Sequence, residues 1–174
     1  MKTETLSLLE LENIHEGLNW LFYRHQVAVL NQDREEAMKL LNDYEKLIQV
    51  HMREEEDYLI PIYEKRCGPI RGGAPVIFTG EHQRVREFLA LFYKLVTCWV
   101  AADGHGQETL DLLDQEHRFK ELMEHHDMRE QRILLPELDK ATTDAEKGDL
   151  LGRFTRTTES LLPPPIPSSP DMAP

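Results

Sequence analysis

One ten-residue pattern occurs twice in this chain and constrains its fold more than any other feature. It consists of a His, a Glu four residues later and a Pro ten residues after the His. The two copies are His51, Glu55 and Pro61, and His126, Glu130 and Pro136. A spacing of four residues places the His and Glu side chains on one face of a helix, one turn apart. The pattern therefore predicts two helices that each present an imidazole and a carboxylate to the same side.

The repeat exceeds what the composition explains. For a chain with eight His in 174 residues, about one His-x-x-x-Glu match is expected at random, which is the risk of any short motif. Three occur, and the third, His117 with Glu121, has Asp127 in place of the Pro. Requiring the Pro as well lowers the random expectation to roughly a twentieth of one match. We interpret the pair of complete copies as an internal repeat.

The composition narrows the class of protein. The net charge of -12 argues against nucleic-acid binding, because no basic patch is available to neutralise phosphates. No uncharged stretch approaches the ~18 residues of a membrane span, and the first residues lack the apolar run of a signal peptide. Cys67 and Cys98 have no neighbouring Cys at ligand spacing, which fits a reducing compartment. We therefore expect a cytoplasmic protein without a membrane or nucleic-acid partner.

Apolar residues recur at helical spacing through most of the chain. Long helices are predicted over residues 6–30, 34–61, 81–102 and 108–139, and only the short run at 76–78 is compatible with a strand. Asp33 with Glu36, and Thr143 with Glu146, form capping boxes that open the second helix and a short fifth helix. Proline should kink or end the second helix at position 61.

Four long helices with short connections predict an all-α fold, an up-down-up-down four-helix bundle with a short fifth helix and a Pro-rich tail. We expect residues 1–142 to form the bundle, 143–160 the short C-terminal helix and 161–174 a Pro/Ser-rich tail. Because each helical residue rises ~1.5 Å, residues equidistant from a hairpin turn lie at one height. Counting back from His51 through the first turn leads to His15, and from His126 through the third connection to His82.

Four imidazoles and two carboxylates in one layer of a bundle core would be costly to bury without a compensating partner. A metal centre is the economical explanation, with His15, His51, Glu55, His82, His126 and Glu130 as ligands. Six protein ligands are too many for one tetrahedral zinc and suit two ions bridged by the carboxylates. The pairs would be His15 with His51 and His82 with His126. This donor set favours iron, with coordination positions left for a bridging oxygen and a small ligand.

The remaining histidines serve as controls. At the height of His25 and His117, the neighbouring helix offers no residue that could be a metal ligand. His125 lies off the ligand face and His105 lies between helices. We therefore expect solvent-exposed or structural roles for all four histidines. Tyr58, two turns from His51, could reach the site or pack in the core. Glu12, Glu54 and Glu81 are adjacent acids that we expect around the site or in solvent.

The order His, His-x-x-x-Glu, His, His-x-x-x-Glu, with Glu81-His82-Gln83-Arg84-Val85-Arg86 at the third helix, resembles the hemerythrin-like HHE cation-binding domains over residues 6–140. The resemblance implies a non-haem di-iron centre, oxo- or hydroxo-bridged, that binds or reacts with O2, NO or peroxide or senses iron or oxygen. Phe78 and Arg86 flank His82, and Glu130 follows His126 by four residues. These positions differ from the oxygen carriers of that family and speak against reversible oxygen carriage.

Two alternatives remain open. A ferritin-like di-iron oxidase needs Glu-x-x-His twice plus two further Glu, and only Glu12 with His15 has that spacing. A metal-free helical interaction module would instead work through its acidic surface and its Pro-rich tail. The sequence is compatible with an enzyme and with a binding protein, and it indicates no particular protein partner.

Overall fold

The computed structural model describes residues 6–101 and 106–159, and all regular secondary structure within these ranges is helical. A short 3-10 helix, Leu8–Leu11, precedes the first α-helix. The α-helices are α1 (Glu12–Leu30), α2 (Arg34–Glu54), α3 (Ile60–Arg66), α4 (Pro75–Ala101), α5 (Gln107–Arg129), α6 (Leu135–Ala141) and α7 (Asp144–Glu159). The predicted tail at 161–174 lies outside the described residues, as does His105. Among the described helices, none is both long and apolar enough to cross a membrane.

Both predicted capping boxes are present. The backbone N–H of Glu36 donates to the Asp33 carboxylate over 3.1 Å, which caps α2 after the turn that follows α1. At the start of α7, the backbone N–H of Thr143 donates to the Glu146 carboxylate over 2.8 Å, and the Thr143 hydroxyl accepts from the Glu146 N–H over 3.4 Å. The predicted beginnings of these two helices are therefore confirmed.

The possible strand at 76–78 was wrong. These residues lie in the first turn of α4, which begins at Pro75, six residues before the predicted start. Pro at the first helical position has a suitable fixed φ and loses no helical hydrogen bond. Phe78 is fully buried, with its ring 6.0 Å from that of Tyr63. Packing of this aromatic pair outweighs the weak strand propensity of the three residues.

The long helices pack pairwise around a common core. The most extensive contacts between helices are those of α1 with α2 and of α4 with α5. In addition, α1 contacts α5 and α2 contacts α4. α7 lies against α2 and the 3-10 helix. One core layer contains an aromatic residue from each long helix, with ring centroids 5.0 to 6.0 Å apart: Phe22, Tyr44, Phe92 and Phe119. This layer gives the four helices a fixed relative height.

Two π-helical turns interrupt the α-helical geometry at equivalent places. They span Glu55–Leu59, between α2 and α3, and Glu130–Leu134, between α5 and α6. Each begins at the Glu of the repeat, and its wider hydrogen bond runs from Ile60 N–H to the Glu55 carbonyl and from Leu135 N–H to the Glu130 carbonyl. The chain stays helical through both prolines, so of the two outcomes predicted at position 61, a kink or an end of the second helix, the end was wrong. Each proline instead lies in the first turn of the next α-helix.

Candidate metal centre

The structure brings the four histidines of the predicted layer together in the core. His15 lies on α1 and His51 on α2, and their Nε2 atoms are 3.0 Å apart. His82 on α4 and His126 on α5 form the second pair, with ring centroids 4.9 Å apart. All four are between 0% and 4% exposed. The fixed rise of the helices accounts for this meeting, as the hairpin counting predicted.

The two glutamates of the repeat lie between the histidine pairs, and each faces both of them. Glu55 places one carboxylate oxygen 3.2 Å from His51 Nε2 and the other 3.2 Å from His82 Nε2. Glu130 places one oxygen 3.2 Å from His15 Nε2 and the other 3.1 Å from His126 Nε2. We call His15, His51 and the facing oxygens the first half-site. The second half-site comprises His82, His126 and the opposite oxygens.

The donor atoms of each half-site are spaced as ligands of one ion. The donor atoms in each half-site, two imidazole nitrogens and two carboxylate oxygens, all lie within 4.8 Å of one another. Ligands about 2.1 Å from an ion lie about 3.0 Å apart at right angles and about 3.4 Å apart at tetrahedral angles. The closest contacts, at 3.0 to 3.2 Å, run from the right-angle value to midway between the two values, and they fit donors around one ion.

Unpaired lone pairs provide a second test of the fit. Because a carboxylate only accepts, His82 Nδ1 carries the proton that it donates to Glu56, 2.9 Å away, and His126 Nδ1 donates to Glu81, 3.1 Å away. With a metal ion in place of the second ring proton, the Nε2 of each ring would turn its lone pair toward that ion. Buried atoms of this core that make no hydrogen bond include His82 Nε2, Glu55 Oε2 and both carboxylate oxygens of Glu130. A cation between the donors, either a metal ion or a proton, would satisfy these atoms.

The charges of the cluster follow the same logic. Burial lowers the pKa of His15, but the nearby Glu130 carboxylate outweighs burial and raises this pKa to about 9. Burial and the charge of His15 hold the pKa of His51 well below its usual value. Burial and the Glu130 charge raise the pKa of Glu55. Burial opposes ionisation of Glu130, yet the charge of His126 holds its pKa well below the usual range. The Glu130 carboxylate is thus stabilised by positive charge, which a metal ion also supplies.

Carboxylates on the outer side of the rings support the second half-site. Glu56, which orients His82, also accepts from Arg86 over 2.9 and 3.0 Å. Glu81, which orients His126, pairs with Arg129. Carboxylates that hold the outer nitrogen of a ligand His fix its tautomer and orientation. Glu81 was expected around the site. Glu56 was not singled out, because its contact depends on how α4 lies beside the π turn.

The π turns explain the position of Tyr58. An uninterrupted α-helix would place it on the face of His51, but the wider turn inserts one residue into that face. The buried positions are consequently Leu59, Ile60 and Tyr63, whereas Tyr58 is 37% exposed. The guanidinium of Arg153 lies 4.8 Å from the centre of its ring. Tyr58 therefore neither reaches the site nor packs in the core, contrary to both sequence expectations.

The other described histidines lie outside the cluster. His117 and His125 are exposed, as expected. His25 has a structural role: it is fully buried, with Nδ1 2.8 Å from the Ala37 carbonyl and Nε2 2.9 Å from the buried Glu116 carboxylate. Counting along α1 placed His25 opposite α2, but Glu116 approaches it from α5. Glu12 does not belong to either group of potential ligands.

Comparisons of the chain with models of protein families, with curated proteins and with solved structures give no match. The two buried His/Glu clusters could hold metal ions, and their geometry is the basis for assigning a function.

Proposed function

We propose that this protein is a hemerythrin-like di-iron protein whose long helices, α1, α2, α4 and α5, form an up-down-up-down four-helix bundle. One iron would be held by His15 and His51, and the other by His82 and His126. Glu55 and Glu130 would each contribute one carboxylate oxygen to each of the two ions. The observation that carries the proposal is that both oxygens of each carboxylate face imidazole nitrogens, one from each half-site.

Two ions suit these donors better than one. A single ion would leave half of the imidazole nitrogens facing carboxylate oxygens without a cation between them. Mixed nitrogen and oxygen donors, with two carboxylates that each face both half-sites, favour iron over a four-coordinate structural zinc. Each half-site contains two nitrogens and two oxygens from the chain, so an ion with six positions retains room for other ligands.

The size of the ligand follows from the burial of the site. The six proposed iron ligands are between 0% and 4% exposed, so a large substrate could not reach them without opening the core. Bound iron would supply redox chemistry and open coordination positions for O2, NO or peroxide. The chain would contribute ion spacing through its carboxylates, ring orientation through Glu56 and Glu81, and exclusion of bulk water through the surrounding apolar core.

The structure offers no additional support for the alternatives. A ferritin-like oxidase would need further carboxylates, and Glu12, the expected candidate, lies outside both half-sites. A metal-free interaction module would have to keep the Glu55 and Glu130 carboxylates in the core with only protons to balance them. Metal analysis distinguishes the interaction module from the di-iron protein. For the module, substitution of the proposed ligands would leave the metal content of the protein unchanged.

The experiment is iron analysis with an optical spectrum. Protein purified aerobically, or reconstituted anaerobically with Fe(II) and then exposed to air, should contain two irons per chain and absorb in the near-ultraviolet and visible range. Reduction and exposure to NO should change that spectrum. Iron well below two per chain after reconstitution, with no such absorption, would sink the proposal.

Matched variants locate the iron. His51→Ala and Glu130→Ala should lower the iron content and the visible absorption. His117→Ala and His125→Ala also remove an imidazole from the same chain, but both side chains are exposed, so these variants should keep two irons. Equal iron contents in all four variants would show that the metal binds elsewhere on the chain.

A further inference from the structure

We infer that the two half-sites bind their ions with unequal affinity, the second half-site tightly and the first as the exchangeable one. This inference rests on the proposed function, since it concerns the same six ligands. It assigns a positioning role to Glu56 and Glu81. It also predicts that the second half-site keeps its ion while the ion of the first half-site dissociates and rebinds.

Both histidines of the second half-site are held from behind by a charged pair. His82 Nδ1 donates to Glu56 over 2.9 Å, and Glu56 is fixed in turn by two contacts from Arg86. His126 Nδ1 donates to Glu81 over 3.1 Å, and Glu81 pairs with Arg129. A carboxylate in this position makes the imidazole a better donor and holds its Nε2 in place, and losing it typically weakens metal binding 10- to 100-fold.

The first half-site lacks both supports. The carboxylate nearest to the outer nitrogen of His15 belongs to Asp127, at 3.8 Å, and His15 Nδ1 makes no hydrogen bond. His51 Nδ1 is buried and also makes none. Its ring instead meets the edge of Phe154 of α7, with centroids 6.2 Å apart. Neither imidazole donates its outer N–H to a carboxylate, so neither ring is held in position in that way.

The internal repeat shows where the symmetry is broken. Aligning His15 with His82 and His51 with His126 pairs each supporting residue of the second half-site with one position of the first. Glu81 and its partner Arg129 correspond to Ile14 and Glu54, and Glu56 and its partner Arg86 correspond to Gln131 and Asn19. None of the four corresponding residues can reproduce the carboxylate and guanidinium pair at its position. The six ligands are thus repeated, but the residues behind them are not.

A stepwise titration alone cannot prove the inference, because repulsion between two divalent ions separates the binding steps even in a symmetric site. The two half-sites must be compared one at a time. His51→Ala disables the first half-site, and His126→Ala disables the second, with the loss of one imidazole in each case. The metal-free protein is titrated anaerobically with cobalt(II) against a competing chelator, and the visible absorption of cobalt reports its coordination.

His51→Ala should bind one cobalt with an affinity within about threefold of the first step of the wild type. His126→Ala should bind its remaining cobalt 10- to 100-fold more weakly, as expected from loss of supported histidines. Equal affinities in the two variants, or the reverse order, would overturn the inference and leave the di-iron proposal intact. Failure of the wild type to bind cobalt or iron would instead overturn the proposed function.

A milder pair of variants covers the case in which His126→Ala does not fold, which circular dichroism will show. Glu81→Gln retains the size of the side chain but loses the charge, and it should weaken the first binding step by about tenfold or more. Asp127→Asn is its matched control, because Asp127 is the carboxylate beside His15 of the first half-site. Since Asp127 lies 3.8 Å from His15, this variant should change neither step more than about threefold. Equal effects of the two variants would contradict the assignment.

Discussion

Truncation of Phe154 tests whether α7 covers the first half-site. Phe154 is fully buried, and its ring meets that of His51. Leu150, one turn earlier on α7, is 6% exposed. At the start of the helix, Arg66 pairs with Glu146 over 2.7 Å. We expect Phe154→Ala to weaken the docking of α7 and to leave the remaining core in place.

The magnitude follows from the burial of the ring. Removing a buried Phe side chain costs about 3 to 5 kcal/mol, and the lower value applies where the neighbouring helix can move toward the gap. If the loss of about 3 kcal/mol falls on the docking of α7, the undocked population rises roughly 100-fold. Metal that leaves through this opening should then be removed by a chelator roughly 100-fold faster, because removal follows the open population.

The assay is the rate at which a strong chelator removes iron, measured beside the free energy of unfolding in urea. Phe92→Ala is the matched control, since Phe92 is also fully buried but belongs to the aromatic layer away from α7. Phe154→Ala should release the iron proposed for the first half-site much faster than Phe92→Ala does, at a comparable loss of stability. Equal release rates would show that iron leaves by general loosening of the core and not beneath α7.

Three further predictions concern stability. His25→Ala should cost about 3 to 5 kcal/mol in urea unfolding, because one oxygen of the buried Glu116 carboxylate loses its partner and only Gln26 still donates to the other. Replacing both His25 and Glu116 with Leu should recover most of the loss and leave the iron content unchanged. A cost below about 1 kcal/mol for His25→Ala would contradict the pairing. Arg66 holds the pKa of Glu146 down to about 2, so this carboxylate stabilises the folded state above its unfolded pKa, and the stability is lost as the pH falls toward 2. Thermal unfolding should therefore show Glu146→Gln less stable than the wild type near pH 7, with the difference shrinking between about pH 4.5 and 2; a difference that is constant with pH would refute this. Asp33→Ala should lower the free energy of unfolding by about 1 kcal/mol through loss of the cap on α2, and no measurable change would show that the cap contributes little.

The part of the structure that could be predicted depends on local rules. His15 and His82 could be found because the rise of an α-helix is fixed and the hairpin connections are short. The cap at Asp33 depends on residues three apart in the chain. In contrast, the contact of Glu56 with His82 joins two helices whose relative rotation is set by packing. Glu116 reaches His25 for the same reason, across 91 positions of the sequence.

The π turns explain why each copy of the repeat contains a proline, since no helix ends at that residue. Proline has no N–H, and its ring crowds the carbonyl four residues before it in an α-helix. For Pro61 that residue is Asp57, which lies within the first π turn, so the widened turn separates the two groups. An α-helix continued from His51 would also turn Ile60 away from the face that carries His51 and Glu55, whereas Ile60 is buried. After Glu55, the buried Ile60 and Tyr63 each lie one residue later than an uninterrupted α-helix would place them.

This explanation gives the proline a testable effect on the metal centre. In Pro61→Ala the chain regains an N–H and can return to α-helical hydrogen bonding after Glu55. This return would rotate Ile60 out of the core and change the backbone that carries the Glu55 side chain. We expect such a variant to remain helical by circular dichroism but to bind cobalt(II) more weakly. Unchanged affinity would show that the surrounding helices impose the π turn whether or not a proline follows it, and the repeat of Pro at position 136 would then need another cause.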